Sequence, residues 1–232
     1  HDETERELWD KKRKAEELKN FLDEEFLSFS SVENPFGGVK VNQSGRLNVD
    51  LFFKDFTKYL IENDYLIEEK FEYSLLDAGN KTYKDFNFSK IVFAEGIAVE
   101  QNPFFNFIPI LHNKGHHMVV KLSEPIQDPY TIKKKHFVFH LQDDKYYYGG
   151  TYDRESETQE LDESAKNELI NGLLQFYRNP FEVIQFNYGF RPTVVDRRPI
   201  VGEHPKHKDL FVFNGLGARG VLNGCFFSEE LY

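Results

Sequence analysis

The stretch from Phe186 to Gly224 constrains the fold more than any other part of this 232-residue chain. It joins a Gly-Phe-Arg-Pro turn (189–192), an Asp-Arg-Arg-Pro loop (196–199), an apolar strand and a glycine loop that opens a helix. Leu210 to Phe213 is a continuous apolar run suited to a buried strand, and Gly215, Gly217 and Gly220 follow with G-x-G-x-x-G spacing. Such a loop turns backbone N–H groups and the positive end of a helix toward an anion. A dinucleotide fingerprint also needs a following strand and an acidic residue about 20 positions on, and the sequence ends at Tyr232 before either. The loop is therefore read as something other than the opening βαβ unit of a nucleotide domain.

The segments before it alternate between helical and strand patterns. Leu8, Ala15, Leu18, Leu22, Phe26 and Phe29 recur at three- and four-residue steps, which predicts an amphipathic helix over 4–29 whose stripe meets the core. Gly37-Gly38 breaks it, Val39 and Val41 suit a short strand, and Ser44-Gly45 turns the chain. A second helix follows, capped by Asn48 or Asp50 and lined by Phe52, Phe56, Tyr59 and Leu60 up to Asn63-Asp64. Ala78-Gly79-Asn80 marks a hairpin turn, and Lys90 to Ala94 reads as a buried strand ending at Glu95-Gly96. Residues 97–150 carry the β-branched and aromatic content of antiparallel strands, including Met118-Val119-Val120, His136 to His140, and Tyr146-Tyr147-Tyr148-Gly149-Gly150-Thr151. A further helix spans 161–178, with Asp162 or Glu163 near its start and Leu169, Leu173, Leu174 and Phe176 on its apolar side.

Taken in order, these segments resemble the D-amino-acid oxidase and glycine oxidase family of FAD-dependent amine oxidoreductases, from about Ser44 to Gly224. The matching pieces are Ser44-Gly45 leading into the helix from Val49, the strand ending Ala94-Glu95-Gly96, Pro109 to Gly115, Gly149-Gly150-Thr151, Gly189-Phe190-Arg191-Pro192, Asp196 to Gly202, and the loop Gly215 to Gly220. The resemblance implies an α+β fold: a mixed or antiparallel-sheet substrate domain with helices, plus an incomplete remnant of a Rossmann-like FAD-binding domain. The implied division is 1–45 (a helical segment of the substrate domain), 46–96 (part of the FAD-binding domain), 97–200 (the substrate domain) and 201–232 (the return to the FAD-binding domain). It also implies that Arg191 pairs with a substrate carboxylate, that Tyr148 joins it in the catalytic set, and that Gly96, Gly215, Gly217, Ala218, Arg219 and Gly220 contact FAD. The substrate is an amino acid or related amine, oxidised at its C–N bond by hydride transfer to the flavin. Many relatives carry alanine where Glu95 stands, and a carboxylate beside a pyrophosphate repels it unless turned away or paired.

In the family a first strand, a G-x-G-x-x-G loop and an acidic residue hold the ADP half of FAD, and nothing before Gly215 supplies them. The chain begins with His1 rather than Met. Both features are read as those of the C-terminal two-thirds of a longer protein, and the isolated chain is expected to be inactive and to bind FAD weakly or not at all.

Each motif also has a plainer reading. Arg191 offers a planar fork suited to a carboxylate, but it could equally pair with Asp196. The glycine loop could be a tight strand-to-helix connection with no ligand. Tyr146, Tyr147 and Tyr148 alternate faces of a strand, so at least one faces a pocket. His112, His116 and His117 have a spacing that zinc uses on helices, yet they fall on loop and strand with Gly115 between them, and no metal site is assigned. Cys225, the single cysteine, precludes an intrachain disulfide and is read as a buried structural residue in a reducing, cytoplasmic setting. With 29 basic against 39 acidic residues and a net charge of -10, the composition argues against non-specific binding to nucleic acid or to an anionic membrane. No apolar run approaches the roughly 20 residues of a membrane span. Two other functions share the fold: the oxidase domain of a tRNA wobble-uridine modification enzyme, which a basic rim beside the pocket would favour, and a cofactor-less binding or scaffold module.

Overall fold

The computed structural model describes residues 2–155 and 158–232. In chain order its elements are α1 (Glu3–Arg13), α2 (Val49–Glu62), β1 (Leu76–Asp77), β2 (Thr82–Tyr83), β3 (Phe86–Asn87), β4 (Ile91–Phe93), β5 (Leu111–Leu122), β6 (Ile132–Lys133), β7 (Phe137–Gln142), β8 (Lys145–Gly149), α3 (Glu163–Leu174), β9 (Phe181–Thr193), β10 (Ile200–Glu203), β11 (Leu210–Asn214) and α4 (Gly220–Leu231). The fold is α+β, and the chain divides into two compact units.

The first unit takes residues up to Glu68, His116–Thr151 and Asp162–Asn187. Its strands belong to a sheet ordered β6-β7-β8-β5-β9. The register pairs Val119 with Tyr147 and Met118 with Tyr148, and across the next strand pairs Tyr147 with Phe139 and Tyr148 with Val138. Strand alternation therefore sends Met118, Val138 and Tyr148 to one face, where they are buried with Leu169 and Leu173 of α3. Tyr147 stands on the other face, stacked against Phe139 at 4.6 Å and His117 at 5.0 Å between ring centroids. Helix α3 starts at Asp162, whose carboxylate accepts from the Ser164 N–H at 2.8 Å. Leu174, expected on its buried side, is exposed; Leu169 and Leu173 already occupy the turn that meets the sheet, and Leu174 lies about 100° round from Leu173.

The N-terminal segment departs from its periodicity. Helix α1 ends at Arg13 rather than near residue 29, and none of its side chains is buried. Beyond it the chain folds back in an antiparallel bridge, with Leu27 and Gly38 exchanging backbone hydrogen bonds of 2.8 Å and Leu22 bridging Val41. Of the apolar stripe only Leu22 is buried. A three-to-four-residue period does not separate a helix from successive turns, and here the long-range backbone pairing decides. Helix α2 forms where expected, with the Asn48 side chain accepting from Leu51 N–H at 3.1 Å. Its Phe52, Phe56 and Tyr59 remain exposed and stack on one another.

The second unit takes Glu69–Gly115, Tyr152–Leu161 and Tyr188–Tyr232. Its meander β1-β2-β3 turns at the Ala78-Gly79-Asn80 position, and a mixed sheet runs β10-β11-β4. Strands β11 and β4 are parallel and β10 and β11 antiparallel. Leu210 and Val212 are buried with Phe93, Val99 and Phe105. Strand β4 is buried on one side only, since Val92 is exposed between Ile91 and Phe93. Helix α4 has no buried residue and Cys225 is exposed, correcting the expectation that the cysteine sits in the core. Val221, Leu222, Cys225 and Phe226 share one side, but Phe227 and Leu231 lie on the opposite one, so the apolar run selects no single face to bury.

Candidate active site

The site is built at one end of the parallel pair in the second unit. Parallel strands end on the same edge, so the turns after β4 and β11 are neighbours, and that edge is where open α/β sheets take ligands. The Asn214 side chain ties them together, donating from Nδ2 to the Gly96 carbonyl at 2.8 Å, while its Oδ1 accepts from Gly215 N–H at 2.8 Å. Gly96, Gly215 and Gly217 all have positive φ, between 55° and 75°, a conformation glycine adopts without a Cβ penalty. Gly217 to Arg219 form one 3-10 turn, with Ala218 and Arg219 exposed, and Gly220 begins α4. Arg219, at the cap position, makes no side-chain hydrogen bond to that helix, so no cap side chain offsets its positive end.

The Glu95 carboxylate beside Gly96 is engaged by two donors. It accepts from the Tyr73 hydroxyl and, at 2.8 Å, from Asn102 Nδ2. Burial first, and then the carboxylate beside it, push the Tyr73 hydroxyl well above the usual phenol range, so it stays a donor.

Arg191 comes from β9, and two residues along the same strand Thr193 lies against Gly217, where a Cβ would be 3.0 Å from Thr193 Cγ2. Pro192 lies against Gly96, with Cγ 3.8 Å from where a Cβ would stand. The Gly-Phe-Arg-Pro segment and both glycine turns therefore meet. The guanidinium itself lies on β5: a Cβ on Gly115 would collide with Arg191 Nη1, Nη2 and Cζ. Its Nη1 donates to Asn113 Oδ1 at 3.4 Å, and its Cζ is 4.4 Å from the centre of the Tyr152 ring. Gly115 leaves the space, Asn113 orients one edge of the fork, and Tyr152 covers a face of it.

Tyr148 lies elsewhere, in the core of the first unit and 0% exposed. Its hydroxyl is 2.7 Å from where a Cβ on Gly172 would stand, and burial raises its pKa, with the Glu168 charge adding to the effect. The tyrosine of that run that is not fully buried is Tyr147. His112 pairs with Glu100, 3.0 Å from Nε2 to Oε1, an acid twelve positions back that the local sequence did not flag. Among the described residues no group of three or more His, Cys, Asp or Glu is placed to hold a metal ion. No helix among them is long and apolar enough to cross a membrane.

The sequence profile of the FAD dependent oxidoreductases named DAO matches residues 1–231. The chain belongs to that family. Among solved structures, it is similar to an iminodiacetate oxidase from a Chelativorans species, at 22% identity and a TM-score of 0.53, covering 63% of this chain and 42% of that one. A glycine oxidase from Geobacillus kaustophilus matches at 19% identity and a TM-score of 0.55, again over 63% and 42%. A glycine oxidase from Bacillus cereus matches at 16% identity and a TM-score of 0.53, over 62% and 42%. At these identities the likeness speaks for the fold, and this member of the DAO family spans about two-fifths of the length of those structures.

Asn113 and Tyr152 carried no signal in the sequence. Gly115 was marked only as the end of the Pro109 segment, and its collision with Arg191 gives that glycine a reason.

Proposed function

We propose that this chain carries the substrate clamp and the flavin-facing glycine turns of an oxidoreductase that oxidises the C–N bond of an amino acid or related amine. The observation that carries the reading is the Arg191 guanidinium seated in the space that Gly115 leaves, on the strand whose Pro192 and Thr193 touch Gly96 and Gly217. We assign β4, β10, β11 and α4 to the remnant of the FAD-binding domain, which the parallel β4–β11 pair supports.

The residues present fit a flavin. The cap position of α4 makes no side-chain bond to the helix, Gly96 and Gly217 are partly exposed at the two turns, and the Glu95 carboxylate is engaged by the Tyr73 and Asn102 donors. FAD, when bound, supplies the hydride acceptor. The chain's own contribution is binding and orientation. Arg191 grips the substrate carboxylate at two points, fixing the α-carbon, and the uncapped end of α4 favours negative charge at the edge it faces. Such preorganisation requires no side-chain base. Of the two catalytic residues carried over, Arg191 has surface to offer a substrate, whereas Tyr148 supports the sheet from its buried face.

The test uses a protein that joins this chain to the ADP-binding part of the fold: once loaded with flavin, it is mixed anaerobically with glycine, sarcosine, proline and D-amino acids, and with the matching amines that lack a carboxylate. The carboxylate-bearing set is expected to bleach the flavin and the truncated set to fail. Equal bleaching by both would remove Arg191 from the reaction.

A further inference from the structure

Lys114 is 0% exposed, although it sits between Asn113 and Gly115, which face the clamp. Alternation along β5 sends its side chain to the other face. There its ammonium donates to the Thr158 hydroxyl at 3.1 Å and to the Glu160 carbonyl at 2.5 Å, and lies 4.9 Å from the centre of the Tyr188 ring. The Tyr188 hydroxyl adds a bond to the Gln159 carbonyl at 2.5 Å. Meanwhile the backbone of Lys114 exchanges two hydrogen bonds of 2.8 Å with Asp153. One residue thus holds the same segment twice, at Asp153 through its backbone and at Thr158 and Glu160 through its side chain.

Tyr152 immediately precedes Asp153. Since Asp153 pairs with Lys114, alternation turns Tyr152 to the face of Asn113 and Gly115, where its ring meets Arg191. An ammonium is costly to bury, and an apolar side chain would fill such a site at less cost unless the hydrogen bonds themselves serve a purpose. Without that tether the segment would lose the two hydrogen bonds at Thr158 and Glu160, and Tyr152, which is 66% exposed, has no deep packing to keep it in register.

We propose that Lys114 is a positioning residue: its buried ammonium clips Thr158 and Glu160 to β5 and so keeps the Tyr152 ring on the Arg191 guanidinium, setting the affinity of the site for carboxylates. The inference rests on the reading of Arg191 as the carboxylate clamp. It acts through Arg191 and touches neither substrate nor flavin.

The experiment compares wild type, Lys114→Met, Thr158→Val and Arg191→Met by hydrogen exchange and by calorimetric titration with acetate. Lys114→Met keeps the apolar stem and the backbone bridge and removes only the clip. It is expected to speed exchange at the Asp153 amide at least tenfold, to leave β8 as protected as in wild type, and to weaken acetate binding about tenfold. Thr158→Val, which removes one acceptor and leaves the lysine, is expected to move both readouts the same way by a smaller factor and stands in should Lys114→Met fail to fold. Wild-type exchange and acetate affinity in both variants, with Arg191→Met losing acetate, would overturn the role of Lys114 and leave the clamp standing. Acetate binding indifferent to Arg191→Met would overturn the clamp and with it this inference.

Discussion

Replacing Gly115 with alanine should separate binding from folding. The added methyl falls on the Arg191 guanidinium, which is the far end of a flexible side chain, so the collision is relieved by swinging the arginine aside rather than by moving a strand. Small terms then oppose one another. Alanine at a strand position without positive φ reduces the freedom of the unfolded chain, worth about 0.4–1 kcal/mol. Loss of the Arg191 contacts removes about 0.5–1 kcal/mol for a partly exposed cation over the Tyr152 ring and about 1 kcal/mol for the bond to Asn113. Their partial cancellation leaves a loss of at most about 2 kcal/mol, or roughly 4–8 °C in melting temperature for a chain of this size. The ligand loses more. Hydrogen bonds to a charged group contribute about 1.5–3 kcal/mol, which corresponds to roughly 10- to 150-fold in affinity. Calorimetric titration with acetate and a thermal melt on the same sample measure both quantities. Unchanged acetate affinity in Gly115→Ala, or lost affinity accompanied by a drop of more than about 10 °C, would refute the reasoning, the first by freeing Arg191 of its seat and the second by making the effect one of folding.

Two predictions concern the scaffold. Gly172→Ala in α3 places a methyl 2.7 Å from the buried Tyr148 hydroxyl, and overpacking of this kind costs about 1–3 kcal/mol; urea unfolding should show it as a lower midpoint with an unchanged slope. His204 accepts the Lys206 and His207 N–H groups at Nδ1, at 3.0 and 2.9 Å, and burial first, then the neighbouring His207 charge, lowers its pKa below the usual 6.5. Because the unfolded chain takes up the proton first, the stability this residue contributes is complete above about pH 6.5. It falls as pH drops through that value toward the lower folded pKa; His204→Asn, which retains an acceptor and cannot titrate, should flatten the pH dependence of urea unfolding over that window.

Much of the fold was legible where a local rule coincided with a long-range one. The Asn48 cap, the Asp162 end of α3, the Leu210 strand and the turn at Gly79 were each marked by residue type, and each element forms where that type placed it. The N-terminal stripe was misleading because the partner that converts it from helix to turns, the Gly38–Val41 segment, lies distant in sequence from Leu22 and Leu27. Cys225 misled for the opposite reason: its helix is apolar without being one-sided. At the site, Arg191 and the glycines could be found from motif order, since glycine and arginine have few substitutes where φ is positive or a carboxylate must be gripped. The residues that seat the arginine could not. Asn113 and Tyr152 are ordinary strand and loop residues whose relevance appears only when β5 and β9 bring them to the guanidinium, and a buried lysine at 114 looks in sequence like any alternating surface charge.

The most direct measurement of the central claim is anaerobic flavin reduction by a carboxylate-bearing amine and by its decarboxylated counterpart, in a flavin-loaded protein that joins this chain to the ADP-binding part of the fold, with the wild-type sequence and with Arg191→Met. The account predicts that wild type is bleached by the first at least 100-fold more efficiently than by the second, and that Arg191→Met closes the gap by losing the first. A preference for the carboxylate that survives intact in Arg191→Met would contradict it.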